Sequence, residues 1–381
     1  MITDNGDIIA FVSTRSFAGA GPGNPDANPE LFMAASTGGA WSTFNLVQGT
    51  NTQDEVVGPV THARFQQNPS LSANGTTVAF LSTANLAGLN DDDGAGHGNA
   101  EVYLANFSGG VVSNFRQVTR TKTDASGSVV NTLSPGRRLS RDASMIAFTS
   151  RAADPKGNAA SNQLVPAVFI YTAGTDSFVQ VGPRGTEFPG DILQFPTFTD
   201  YIGLAPTSVV FASALNFKTD GSLLAAFDTT GLNPNVQPQI FASTIPVTGN
   251  SFARLTRNPV GGFGGIRPLA SDSRKRIAFS LAGLELGGGN ADSSMEVFYL
   301  LIPPSNTEST ARLDFFTGAS NFPVPPASPS PSPAPTPTAD APFGLAPGEL
   351  SIVRSGDPAD PLALSDANAG GGDESRYFRS S

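Results

Sequence analysis

The chain has 381 residues and a formal net charge of −10, and its charged residues form no Lys/Arg-rich stripe, which argues against nucleic-acid binding. It contains no cysteine, which excludes disulfides, thiolate nucleophiles and Cys-ligated metal centres, and no apolar run approaches the roughly 20 residues that span a bilayer. Abundant Gly (41) and Pro (31) favour many turns and few helices, while the N-terminal residues show no signal-peptide pattern.

A short box recurs five times along the chain, in which a polar turn leads into an apolar stretch with a central aromatic residue. Its copies are TDNGDIIAFVS (3–13), SANGTTVAFLS (72–82), SRDASMIAFTS (140–150), APTSVVFAS (205–213) and SDSRKRIAFSL (271–281). The fourth copy has lost the polar turn and kept the apolar stretch. A second aromatic residue follows each first one, giving the pairs Phe11 and Phe32, Phe80 and Tyr103, Phe148 and Phe169, Phe211 and Phe241, and Phe279 and Phe298. Two markers that recur in the same order indicate an internal repeat.

The second copy shows the layout of one repeat. Residues 68–72 form a first strand, 73–75 a tight turn, and 76–82, 100–107 and 114–120 the next three strands. The second and third strands are apolar on both faces, as in strands sandwiched between sheets. The fold class is therefore all-β, a β-propeller of four-stranded blades with five repeats visible. A series of unrelated β-sandwich domains is the alternative, but such domains need about 7 strands and nearer 100 residues each.

The pattern PSLSANGTTVAF, followed by AEVYLANF, resembles the TolB-like, WD-repeat-related β-propeller repeat of bacterial envelope and secreted proteins. This resemblance covers about 310 residues. It implies a propeller usually of six blades, a binding role, and a secreted or periplasmic location. The first copy begins at its turn with no inner strand before it. The ring is therefore either a truncated six-bladed one or closes by an unusual route.

Loop lengths differ between the two ends of each predicted blade. The turns between strands 1 and 2 and between strands 3 and 4 are short, whereas the 2–3 loops are long. The long loops are predicted at 15–29, 83–99, 151–166, 214–238 and 282–294, and the 4–1 connections, such as 50–66 and 121–135, are long as well. Since binding residues concentrate on loops held by a rigid scaffold, we expect protein or glycan contacts on this long-loop face. Loops that lengthen without a function are the alternative.

The most polar of these loops, NDDDGAGHGNAEVY, contains the candidate metal ligands. Asp91, Asp93, Asn99 and Glu101 offer the oxygen ligands that Ca²⁺ prefers, although their spacing does not match an EF-hand loop. The alternative is that Asn and Asp satisfy turn backbone groups and that the acid before the third strand is solvated. No other cofactor is predicted.

Catalytic motifs are sparse. The only histidines, His62 and His97, lie in predicted loops without a supporting triad or zinc pattern, and neither Gly-x-Ser-x-Gly nor a Walker A sequence is present. The sequence thus favours a non-catalytic module. The alternative is a carbohydrate-active hydrolase, which needs only two carboxylates on the acidic loop face.

The C-terminal part differs in composition from the repeats. We assign residues 1–318 to the propeller, 319–343 to a Pro/Ser/Thr-rich linker, and 344–381 to a mostly disordered tail. A fourth strand of the last repeat is predicted near residues 311–316. The segment GLAPGELSIVRSG (344–356) resembles the start of a small domain of acidobacterial secreted proteins, which would be truncated here.

Overall fold

The computed structural model forms two compact units, residues 1–209 with 245–247 and residues 210–244 with 248–381. The division between the units falls within the strand at 205–213. Among the described residues, no helix is long and apolar enough to cross a membrane. The structure describes residues 1–38, 43–57, 59–89, 99–122, 130–157, 162–186, 195–249, 251–256, 268–270, 276–282, 295–301 and 350–353.

Successive antiparallel sheets are formed by strands that neighbour each other in sequence. Sheet 1 contains β1 (Ile8–Ser13), β2 (Glu30–Ser36) and β3 (Phe44–Gln48). Sheet 2 contains β6 (Gln66–Leu71), β7 (Thr77–Ser82), β8 (Glu101–Ser108) and β9 (Val111–Gln117). Sheet 3 contains β10 (Asn131–Thr132), β11 (Met145–Ala152), β12 (Asn162–Thr172) and β13 (Ser177–Val181). A hairpin of β4 (Glu55–Val57) and β5 (Val60–His62) lies between sheets 1 and 2.

The remaining two sheets have the same up-and-down order. Sheet 4 contains β14 (Thr197–Ile202), β15 (Ala205–Ser213), β16 (Gln239–Thr244) and β17 (Phe252–Arg254). Sheet 5 contains β18 (Leu269–Ala270), β19 (Arg276–Ala282), β20 (Met295–Leu301) and β21 (Leu350–Val353). The all-β propeller-blade architecture predicted from the repeat is thereby confirmed.

The aromatic anchors face each other across the second and third strands. Phe80 pairs with Tyr103 in the register of β7 and β8, and their rings stack at 5.9 Å between centroids. The same register holds for Phe11 with Phe32, Phe148 with Phe169, and Phe279 with Phe298. Stacked aromatic cross-strand pairs stabilise a sheet beyond the area that they bury. Because the stacked pair recurs at the same register position in blades 1 to 3, it fixes the alignment of the two strands there.

Strand β7 is buried on both faces, as its composition predicted. Val78 and Phe80 pack toward sheet 1 with Leu31 and Met33 of β2. The alternating residues Ala79 and Leu81 pack in the other direction, in a cluster with residues of sheet 3. Since successive side chains of a strand point to opposite faces, β7 requires an apolar neighbour on both sides. Blades of this sequence are stable only when stacked.

The short turns between the first and second strands share one set of hydrogen bonds. In blade 2, the Ser72 hydroxyl donates to Asn74 Oδ1 at 2.9 Å and accepts from the Thr77 amide at 3.1 Å. Thr3 with Asn5 and Ser140 with Asp142 repeat this arrangement in blades 1 and 3. The polar box found in the sequence is thus a turn whose side chains satisfy its own backbone. In blade 4, where the box is absent, the two residues Gly203 and Leu204 make the turn.

Three details of the blades differ from the sequence prediction. In blade 1 the residues before the turn contact the sheet, since Ile2 forms an isolated bridge with Ile9 and Met1 exchanges two backbone hydrogen bonds with Ala10. The fourth strand of sheet 5 is β21, from the segment that the sequence assigned to the tail. The predicted strand at 311–316 and the linker lie outside the described residues. The hairpin β4–β5 occupies a segment that was expected to be a plain loop.

We expect Gly75→Ala to destabilise the fold by about 1–3 kcal/mol. Gly75 has φ +72°, and a Cβ there would lie 2.6 Å from Ile8 Cδ1 and 2.8 Å from Thr3 Cγ2, both in blade 1. Gly109 is the matched control, because it has φ +59° with no atom within 4 Å of a built Cβ. Gly109→Ala should carry only the conformational penalty of about 1 kcal/mol. Equal losses in urea unfolding would show that the contact between the blades contributes nothing.

Candidate functional site

The long loops begin in the same way in four blades. The hydroxyl of the last serine of the second strand accepts a hydrogen bond from the amide two residues later, as in Ser82 with the Ala84 amide at 2.9 Å. The other three are Ser13 with Arg15, Ser150 with Ala152, and Ser213 with Leu215. Such a turn directs the chain away from the strand and fixes the first residues of the loop.

The loop of blade 1 ends in a buried carboxylate. Glu30 begins β2 with no exposed area, and its carboxylate accepts hydrogen bonds from the hydroxyls of Thr50 and Thr52 and from the Thr52 amide. Gln66, the first residue of blade 2, donates to Glu30 at 3.4 Å and to Thr52 Oγ1 at 3.0 Å. We call this group of Glu30, Thr50, Thr52 and Gln66 the Glu30 clasp. It joins the end of the long loop to the next blade.

Glu101 occupies the corresponding place in blade 2. Its Oε1 accepts from the Thr121 amide at 2.6 Å and the Thr121 hydroxyl at 2.8 Å, and its Oε2 accepts from the Thr119 hydroxyl and from Asn131 Nδ2 at 3.0 Å. Asn131 begins blade 3, so this Glu101 clasp (Glu101, Thr119, Thr121 and Asn131) connects blade 2 to blade 3. Both carboxylate oxygens are engaged, which leaves Glu101 little capacity as a ligand.

The predicted calcium ligands are therefore only partly described. Asn99 lies next to the Glu101 clasp, where its Nδ2 donates to the Thr121 carbonyl at 2.8 Å. Asp91 and Asp93 lie outside the described residues, so calcium binding by this set stays a prediction. Within the described part of the chain, no three acidic or histidine side chains come close enough to hold a metal ion. Glu101 itself was expected to be solvated if it bound no metal, and instead it is buried.

Burial controls the ionisation of both clasp carboxyls. Desolvation raises the pKa of Glu101 to about 7, although the hydrogen bonds from Thr119, Thr121 and Asn99 act in the opposite direction. The pKa of Glu30 is raised for the same reason, and its hydrogen bonds from Thr50, Thr52 and Gln66 again oppose the shift. No Lys or Arg donates to either carboxylate among the hydrogen bonds described above. The clasps are thus carboxyl groups held by neutral donors in a dry site.

Blades 3 and 4 replace the clasp. In blade 3, Ala167 stands in the place of the acid, and Arg184 donates to the carbonyls of Ser150, Val165 and Ala152 at 2.6–3.0 Å. In blade 4, Gln239 accepts from the Thr256 hydroxyl at 2.8 Å, and that hydroxyl accepts from the Ile240 amide at 2.9 Å. Arg184 and Thr256 follow the fourth strands of their blades, and they bind the start of the third strand and, in blade 3, also the second strand. In blades 1 to 4 the end of the long loop is therefore held by hydrogen bonds.

Loop 214–238 is the longest of the predicted long loops, and the structure describes all of it. Two buried asparagines organise its interior: Asn216 donates to the carbonyls of Ala225 and Asp228 at 3.0 and 2.9 Å and accepts from the Asn233 amide at 3.0 Å. Asn233 donates to carbonyls at both ends of the loop, namely Ala214 at 3.0 Å and Gln237 at 2.8 Å. Ordered connections longer than about 12–15 residues are uncommon in compact domains and are usually functional.

A buried aromatic residue attaches this loop to sheet 4. Phe217 has no exposed area and lies 4.6 Å from Phe241 and 5.6 Å from Phe252, measured between ring centroids. Gly231 faces Asn216 so closely that a Cβ would lie 2.0 Å from Asn216 Oδ1. The base of the loop is consequently packed and offers little freedom to the residues that it carries.

Phe227 lies at the exposed end of the loop. Its side chain is 73% exposed, and its backbone is left-handed with φ +66°. This conformation is costly for a bulky side chain. The Phe227 amide donates to the Pro234 carbonyl at 2.8 Å, while Asn216 holds the carbonyls on both sides of it. The scaffold therefore imposes both the strain and the exposure of the ring.

The exposed residues that precede Phe227 in the loop are mostly apolar, and an acidic residue lies on each side of this segment. Leu223 is 43% exposed, and Ala225 and Ala226 are exposed beside it. Asp220 and Asp228 flank this segment, and hydrogen bonds from Ser222 and Thr230 hold their pKa values below the usual range, with Lys218 contributing to both. Sequence reasoning placed the loop correctly but did not single out Phe227. Phe227 is identified by its positive φ, and the sequence, which is rich in Phe, does not show which Phe adopts it.

We expect the stability difference between the wild type and Glu101→Gln to depend on pH. The folded-state pKa of Glu101, about 7, exceeds the ordinary value of 4.5, so between these pH values the folded state keeps a proton that the unfolded state loses. The contribution of the protonated carboxyl is complete below about pH 4.5 and is lost as the pH rises through about 7. The melting temperature of the wild type relative to Glu101→Gln should therefore fall across this range. A constant difference would show that the carboxylate stays ionised.

We expect Phe227→Asn to raise the free energy of unfolding by about 1 kcal/mol, because Asn tolerates a left-handed backbone and the exposed ring has little packing to lose. Urea unfolding measures the change. Phe227→Ala is the control, since it removes the ring and retains most of the backbone strain. A loss of stability in both variants would show that the ring supports the loop.

Neither a family model nor a curated protein matches this chain. Solved structures to which it is similar include TolB from Acinetobacter baumannii (15% identity, TM-score 0.42, 78% of this chain and 51% of that chain). They also include the putative TolB from Agrobacterium tumefaciens (13% identity, TM-score 0.40, 78% and 79%) and the tricorn protease (11% identity, TM-score 0.40, 79% and 25%). This chain thus spans about half the length of the first structure. TolB is among the similar structures, as the repeat pattern predicted, while roles do not transfer at this level of similarity.

Proposed function

We propose that this chain is a non-catalytic β-propeller binding module that contacts a protein or glycan through the long-loop ends of its blades. The observation that carries the proposal is loop 214–238, in which a buried polar interior holds an apolar, strained and exposed end. Such an arrangement has no evident benefit for stability. Exposed strained residues on a rigid base are typical of binding and active sites.

The two ends of the blades differ in a way that supports this proposal. The short turns of blades 1 to 3 are closed by their own Ser, Thr, Asn and Asp side chains, and they bond to each other, as in the Ala73 amide to the Arg141 carbonyl at 2.8 Å. Most polar groups of these turns are therefore already hydrogen-bonded within the protein. Loops 15–29 and 214–238, which the structure describes in full, expose much of their middle parts, and those parts are available to a partner.

The rival reading, a carbohydrate-active hydrolase, requires a reachable carboxyl with a raised pKa and a second carboxylate across from it. Among the described residues, the carboxyls whose pKa is raised are Glu30 and Glu101, and neither has exposed area. The exposed acids Asp220 and Asp228 have lowered pKa values, which suits an ionised border and not a general acid. These environments favour binding over hydrolysis.

A secreted or periplasmic location is part of the same proposal. It is supported by the resemblance of the repeat, PSLSANGTTVAF, to repeats of bacterial envelope proteins. The absence of cysteine is compatible with that location, because a stacked β core of this size does not depend on disulfides.

The proposal can be tested by blocking one end of the blades at a time. Since the chain has no cysteine, a single introduced cysteine can be coupled to a polyethylene glycol maleimide without side reactions. Ala18→Cys and Asn235→Cys lie at exposed positions of long loops, and Thr175→Cys lies at an exposed short turn of blade 3. The labelled proteins would be assayed against purified envelope proteins and a panel of oligosaccharides, with reducing-end release measured in parallel.

We expect the label at Ala18 or Asn235 to reduce binding at least tenfold and the label at Thr175 to leave it within twofold. No reducing ends should form with any variant. Release of reducing ends by the unlabelled protein would establish the hydrolase reading, and equal loss from the Thr175 label would place the binding surface elsewhere.

A further inference from the structure

The exposed end of loop 214–238 has the chemistry of a protein-binding anchor. We propose that Phe227 inserts into an apolar pocket of a protein partner whose rim carries Lys or Arg side chains facing Asp220 and Asp228. This inference rests on the proposed binding function and adds the location of the contact and the kind of partner.

The first argument is that Phe227 is pre-organised. Asn216 fixes the carbonyls of Ala225 and Asp228 on either side, and the Phe227 amide is bound to the Pro234 carbonyl. Val236, in the opposite limb of the loop, also has a left-handed backbone, with φ +46°. An anchor that is already ordered loses little conformational entropy on binding, which increases affinity without additional contact area.

The second argument concerns the residues around the ring. Leu223, Ala225 and Ala226 precede the ring in the loop and are exposed, and an aromatic side chain accompanied by apolar residues is the usual composition of an interface hot spot. When a partner covers exposed Leu and Phe side chains, apolar surface is removed from water, which lowers the free energy of the complex. The apolar patch is small enough for the protein, which has a net charge of −10, to remain soluble.

The third argument favours a protein over a sugar. A sugar platform needs free hydrogen-bonding groups beside the ring, but Asp220 Oδ1 accepts from the Ser222 amide at 2.8 Å and Asp228 Oδ1 from the Thr230 amide and hydroxyl at 2.9 and 2.7 Å. These carboxylates are ionised and oriented by their own turns. With Lys218 as the nearby cation, they leave the end of the loop with a net negative charge, which favours a cationic rim on the partner.

The test uses the full chain with the photo-crosslinking residue p-benzoylphenylalanine in place of Phe227, expressed in the organism that encodes the protein. The matched control carries the same residue in place of Ile202, which is 78% exposed at the short turn between β14 and β15. A third variant carries it in place of Ala18, in the long loop of blade 1. Crosslinked proteins would be identified by mass spectrometry, purified and titrated by calorimetry against the wild type and substituted chains.

We expect one protein to be crosslinked from position 227 and not from position 202. Phe227→Ala should weaken its binding at least thirtyfold, in the range of an aromatic hot spot, whereas Ile202→Ala should change it less than twofold. Asp220→Asn with Asp228→Asn should weaken binding at low salt and reduce its salt dependence.

Other results separate this inference from the proposed function. A partner crosslinked from position 18 and not from position 227 would overturn the Phe227 anchor and keep the binding module. Binding of oligosaccharides that is lost in Phe227→Ala would identify the ring as a sugar platform, and crosslinking only to a second copy of the chain would identify self-association; either result overturns the inference. No crosslink from any long-loop position would contradict both proposals.

Discussion

The buried carboxylate at the start of the third strand is the interaction on which much of the first unit depends. Glu101 connects three separate parts of the chain: the end of the long loop, the segment that follows the fourth strand of its own blade, and the first strand of the next blade. The Thr side chains are short, so their hydroxyls reach Glu101 only when these three parts of the chain keep one relative position. The clasp therefore fixes how neighbouring blades sit, while the apolar clusters on both sides of β7 supply the driving force for stacking.

This interaction also explains what the sequence could and could not reveal. The stacked pairs such as Phe80 and Tyr103, and the serine-asparagine turns, are local or periodic features, so composition and spacing predicted them correctly. Glu101 is different, because its partners Thr119, Thr121 and Asn131 are 18 to 30 residues away. In sequence, an acid next to an Asp-rich loop resembles a metal ligand. The hydrogen bonds that bury it become visible only in the tertiary structure.

The limits of prediction are similar at the two ends of the chain. The outer strand of sheet 5 is β21, whose pairing with β20 joins residues about 50 positions apart, so neither strand signals the other in sequence. In blade 1, the contact of Ile2 with Ile9 is too short to be recognised as a strand. Loop positions were predictable because strand patterns delimit them. The conformations inside the loops were not, since they depend on single buried groups such as Asn216 and Asn233.

The blades use different polar groups at the end of the long loop. Blade 3 uses Arg184 on backbone carbonyls and blade 4 uses the neutral pair Gln239 and Thr256, so the carboxylate is one of several ways to close the same junction. In the two carboxylate junctions the donors come from the segment after the fourth strand and from the first strand of the next blade, so the hydrogen bonds lie at the end of the long loop. A loop anchored in this way can change its exposed residues at little cost to the fold. Phe227 illustrates the consequence: Asn216 at the base holds the carbonyls on either side of it, so the loop end keeps a strained conformation that stability alone would disfavour.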